Sequence, residues 1–112
     1  MNENDERIAR TEAFFRDVNE RIAETARRFD SEEGAFVCEC ADQSCTERVD
    51  ATLEEYERAR AEGTRFLLRP GHEDQRIERV VERRGLRFAI VEKIHAAIGR
   101  AVRRRDPRTD LA

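Results

Sequence analysis

From Ile8 onward, one residue in every three or four breaks a run of charge: Ile8, Thr11, Phe15, Val18, Ile22, Thr25 and Phe29. Alternating steps of four and three give the heptad rhythm of about 3.5 residues and predict an amphipathic helix over residues 3–29. Ala26 and Phe14 widen the stripe, and the positions between are almost all Glu, Arg, Asp or Asn. Such a stripe ordinarily covers its own core. At a rise of about 1.5 Å per residue this helix would run about 40 Å, longer than a small sheet needs. An overhang would leave Ile8, Phe15 and Val18 for a second copy, so a homodimer through the N-terminal helix is the accompanying expectation.

The pattern changes after Asp30-Ser31-Glu32-Glu33-Gly34, which predicts the helix end and a loop. Ala35 to Glu39 predicts a strand, and Thr46 to Thr52 a second, through Val49 and Ala51. Thr52 with Glu55 three positions on is the capping-box pattern, opening a helix that Gly63 would end. Phe66-Leu67-Leu68-Arg69 predicts a short buried strand closed by the turn Pro70-Gly71. Ile77 to Arg83 and Leu86 to Glu92 predict a hairpin about Arg84-Gly85, with Val80, Val81, Phe88, Ile90 and Val91 as its apolar residues. Lys93 to Arg105 returns to helical spacing through Ile94, Ala97, Ile98, Ala101 and Val102, and Pro107 stops it. The tail from Arg108 to Ala112 is expected to fray. The fold class expected is α+β, with a long N-terminal helix, a small and mostly antiparallel sheet, and a C-terminal helix. All of it fits one domain over residues 1–112, with 35–92 as the core.

Composition narrows the classes. Of 112 residues, 38% are hydrophobic and 42% charged, enough for one small core that a metal or a partner would reinforce. No run approaches the roughly 18 apolar residues of a membrane span. The acidic start Met1-Asn2-Glu3-Asn4-Asp5-Glu6 is unlike a secretory signal, and a cytoplasmic protein is expected. Residues 30–62 carry eleven acids and three arginines, residues 65–108 thirteen bases and six acids. Either pole could meet an unidentified protein partner. Nucleic-acid binding is not expected: no aromatic interleaves with Arg100, Arg103, Arg104, Arg105 and Arg108, and a solvated helix end explains them.

The chemistry lies in three cysteines within eight residues, Cys38, Cys40 and Cys45, with no others in the chain. Residues i and i+2 of a strand share a face, so Cys38 and Cys40 aim at one point, and Ala41 to Ser44 are long enough to bring Cys45 back to it. An odd number of thiols is a poor disulfide framework and most of a metal site. Zinc takes four sulfur or imidazole ligands. His72, set at a strand end by Pro70-Gly71, is the expected fourth, with Asp42 as the alternative. His95, between Ile94 and Ile98, is expected to pack in a core. An iron–sulfur cluster would want a fourth cysteine. A structural Cys38/Cys40/Cys45/His72 zinc site in a non-catalytic interaction or regulatory module is therefore the expected function. A thiol/zinc redox sensor is the alternative, although Glu39, Asp42 and Glu47 disfavour a reactive thiolate. A zinc hydrolase would need an open metal position and a base from Glu39, Glu73 or Asp74. Phosphate-loop, nucleophile-elbow and dinucleotide motifs are all missing.

Phe36-Val37-Cys38-Glu39-Cys40 with Cys45, Glu54-Glu55-Tyr56 with Arg60, Pro70-Gly71-His72 and Val91-Glu92-Lys93 together resemble a group of small, uncharacterised bacterial proteins. The run Phe14 to Ile22 is similar as well, and the likeness extends to about residue 93. It implies no particular activity. It places the cysteines and His72 in one pattern, as a shared site requires.

Overall fold

The structure, a computed structural model, describes residues 2–108. Helix α1 (Glu3–Arg28) begins where Asn2 accepts the Asp5 amide at 2.7 Å, with Glu3, Asp5 and Glu6 in the first turn and Arg27 and Arg28 in the last. Those charges complement the helix dipole at both ends. The end is a Schellman turn. Asp30 takes a positive φ of 53°, its N–H reaches Arg27 O, and Ser31 N–H reaches Ala26 O.

The covered face of α1 differs from the predicted stripe by one residue. Ala9, Glu12, Arg16, Asn19, Ala23 and Ala26 are buried, the same three-and-four rhythm moved one position along. Ile8 and Thr11 are buried beside them, Phe15, Val18 and Ile22 are half-buried on the margin, and Phe14 and Phe29 are 63% and 74% exposed. The shift is possible because Glu12, Arg16 and Asn19 each find at least one polar partner. Arg16 donates to Gly63 O at 2.7 Å and Val102 O at 2.6 Å, and its guanidinium lies 4.7 Å from the Phe66 ring centre. Glu12 pairs with Lys93. Near the start of α1, Ile8, expected to be left over at an overhang, is only 7% exposed. Ile8 is therefore covered within the chain.

Two antiparallel sheets stand where one was expected. Strands β1 (Glu33–Val37) and β2 (Arg48–Thr52) pair with Phe36 opposite Val49. Strands β3 (Arg65–Leu68), β4 (Glu78–Arg84) and β5 (Phe88–Lys93) form the second sheet in the order β3-β5-β4. Helix α2 (Leu53–Ala59) has the predicted capping box, Thr52 and Glu55 exchanging bonds, and ends at Arg60 rather than Gly63. In β4 a bulge between Val80 and Glu82 breaks the alternation, and Val80 and Val81 are exposed. Leu86 sits in the turn, 89% exposed, not in β5.

Helix α3 (Ala96–Arg104) packs on α1. His95 is its N-cap, accepting the Ile98 amide at 3.3 Å, rather than a core residue. Of the tail expected to fray, residues 109–112 lie outside the described residues. Arg108 is held, donating to Glu20 and Glu57. The core of Phe36, Tyr56, Phe66, Leu67, Leu68, Phe88, Val91, Ile98 and Val102 lies between α1, α3 and the sheets.

Candidate metal centre

Past Val37 the chain stays extended, and residue alternation does the rest. Cys38 and Cys40 face one way, Glu39 the other. Cys38 N–H donates to Glu47 O at 3.1 Å, and Glu39 N–H to Leu67 O at 2.8 Å, so this segment bridges the two sheets. The Glu39 side chain fixes the bridge. One carboxylate oxygen accepts Leu67 N–H and the other the Asn19 side-chain amide, both at 2.8 Å. Asn19 also exchanges two bonds with the Val37 backbone, filling the open edge of β1 as a neighbouring strand would. Burial raises the Glu39 carboxyl to about 6, against these hydrogen bonds, which lower it.

The other two donors come from turns. Asp42 accepts Ser44 N–H at 2.9 Å and Ser44 Oγ at 2.6 Å, and Cys45 N–H closes on Asp42 O at 3.0 Å, which brings Cys45 back. Beyond β3, Arg69-Pro70-Gly71-His72 is a type II turn: His72 N–H donates to Arg69 O at 3.1 Å, and Gly71 has a φ of 92°. That turn swings the imidazole over the cysteines.

The Sγ atoms of Cys38, Cys40 and Cys45 and a ring nitrogen of His72 all lie within 4.8 Å of one another. His72 Nδ1 is 3.5 Å from Cys38 Sγ and 3.7 Å from Cys45 Sγ. Cys38 and Cys40 are buried, Cys45 is half-buried and His72 is exposed, so the cluster opens at the molecular edge. All three cysteines are free thiols. Arg69 N–H donates to Cys38 Sγ at 3.3 Å, the kind of outer contact that orients a metal ligand. Cys38 is pushed up, chiefly by donating to Cys40 and then by burial, while the same bond draws Cys40 down to about 5. Burial, first among its causes, raises Cys45. At Cys40, then, the neighbouring Cys38 thiol outweighs the disfavouring of a thiolate expected from Glu39, Asp42 and Glu47.

These four residues are the expected set, and the arrangement could hold one metal ion. Asp42, the alternative ligand, is not part of that four-residue cluster, and its Oδ1 accepts both Ser44 N–H and Ser44 Oγ. Each acid considered as a hydrolytic base is engaged elsewhere: Glu39 as above, Glu73 on Gly71 N–H and Arg83, Asp74 on Arg76. The supports around the cluster, Asn19 and the Arg69 amide, were not foreseen. A signal for Glu39 was present, since an acid between two same-face ligands must point inward and find donors. No family model, curated protein or solved structure matches the chain.

Proposed function

We propose that this chain is a non-catalytic zinc-binding module with an interaction or regulatory role, in which Cys38, Cys40, Cys45 and His72 hold one structural zinc. The observation that carries the reading is the origin of the donors. Two follow β1, one lies in the loop before β2, and the fourth follows β3, so a single ion would tie one sheet to the other. Three sulfurs and an imidazole are a donor set that zinc favours, and four ligands complete its tetrahedron. Glu39, Glu73 and Asp74 are each engaged by other groups, which favours the structural over the hydrolytic reading.

Elemental analysis of protein purified without chelator should give about one zinc per chain, the stoichiometry of one tetrahedral site. Chelation, or Cys40→Ser, should lower the melting temperature sharply, because metal binding energy becomes folding energy. Less than a tenth of an equivalent, with three freely titrating thiols, overturns the zinc reading. An unchanged melting temperature on chelation overturns the structural role. Thiol titration before and after peroxide separates this role from redox sensing: a structural site keeps its zinc.

A further inference from the structure

Most arginines among the described residues sit against a carboxylate; Arg7, Arg10, Arg21, Arg48, Arg69, Arg100 and Arg104 form no ion pair. Four of these seven border the cysteine loop. Arg7 and Arg10 line a groove of about 270 Å³ with Phe14, half-buried Phe15 and, from the loop itself, Gln43. Arg48 follows Cys45 by three residues and donates to Ala35 O. Arg69 donates its amide to Cys38 Sγ and its guanidinium to Arg48 O at 3.4 Å. Several nearby acids are engaged elsewhere: Asp5 lies near His95, Glu6 pairs with Arg105, and Asp42 holds Ser44. The C-terminal arginine run, by contrast, is largely consumed by Glu62, Glu6, Glu20 and Glu57.

Positions 7, 10 and 14 share one helix face. The exposed Phe14 ring therefore stands one turn from Arg10, which forms no ion pair, and two turns from Arg7, whose guanidinium donates to Asn4 Oδ1 at 2.7 Å. We propose that this groove binds single-stranded nucleic acid, Phe14 stacking on a base while Arg7 and Arg10 hold flanking phosphates. Base stacking on an aromatic beside guanidinium-held phosphates is how single strands are bound without sequence readout. An acidic protein would use the cations equally well but has no call for the ring. The inference rests on the zinc-held loop, which fixes Gln43 in place.

Fluorescence anisotropy of the full chain with a labelled oligothymidylate of about twelve nucleotides, a common site size, tests it. Zinc content is measured first. Absent zinc is a failure of the metal reading and is seen before any oligonucleotide is added; a zinc-loaded chain that does not bind at low salt is a failure of the groove. Phe14→Ala should weaken binding about tenfold. Arg7→Glu with Arg10→Glu should weaken it further and flatten the salt dependence. Arg100→Glu with Arg104→Glu makes the same change of net charge on α3 and should leave affinity within about twofold. Equal losses from the two charge reversals overturn the proposal. So does an unaffected Phe14→Ala variant whose oligonucleotide is displaced by polyglutamate, the result expected of a surface for acidic proteins. All the altered side chains are exposed, and a melting curve of each variant is the check that it folds.

Discussion

Glu12 has one carboxylate oxygen 2.6 Å from Lys93 Nζ and the other, fully buried, without a partner. Lys93 also bonds Glu78, so one cation serves two acids out of contact with water. Burial pushes the Glu12 carboxyl up to about 7; Glu78 and Glu39 add to the rise, and Lys93 opposes it. A raised carboxyl binds its proton more tightly folded than unfolded. Its stabilising contribution is thus full below the unfolded value, about 4.5, and is lost as pH rises to about 7. Glu12→Gln should remove that part of the slope, so urea unfolding of wild type and variant between pH 5 and pH 7.5 should converge less steeply in the variant. Equal slopes would show that the proton is carried elsewhere.

At the scale of elements, the type II turn after β3 decides whether the fourth donor arrives. Nothing lies within 4 Å of where a Cβ would stand on Gly71, so only its positive φ resists substitution. Gly71→Ala should cost about 1–2 kcal/mol of stability. It should also weaken zinc retention against a competing chelator, because the turn that strains is the one presenting His72. Unaltered retention would detach His72 from the site. Elements with local chemistry were legible in the sequence: the span of α1, the capping box of α2, the Pro-Gly turn. Strand edges were less so, since the start of β5 depends on pairing with β3 and β4 and not on Leu86 itself.

For the molecule as a whole, Arg16 joins parts that no local pattern connects. Its side chain is fully buried, reaches backbone carbonyls of the loop before β3 and of α3, and stands 3.9 Å from Asp106. Asp106 is itself bound by Arg60, which also pairs with Glu20. Replacing Arg16 by Met keeps apolar bulk but strands both carbonyls. The loss should be about 3–5 kcal/mol in urea unfolding of the zinc-loaded protein, the scale for breaking a buried charged pair. A loss below about 1 kcal/mol would mean that water reaches those carbonyls. Among the described residues no helix is long and apolar enough to cross a membrane.

The sequence by itself determined the three clustered cysteines, with His72 as the foremost candidate to join them, and the period of α1. Cysteines at i and i+2, a four-residue return and a Pro-Gly-His turn each restrict the backbone within a few residues, so their geometry does not wait for the rest of the chain. Tertiary structure alone decided the phase of α1, the division into two sheets and the polar core. A helix with charges on both margins can bury either of two adjacent stripes. The choice falls to whichever polar groups meet partners, and here Glu12, Arg16 and Asn19 find theirs 81, 47 and 18 positions away, at Lys93, Gly63 and Val37. Periodicity records how often a residue faces inward; only the folded chain supplies what it faces.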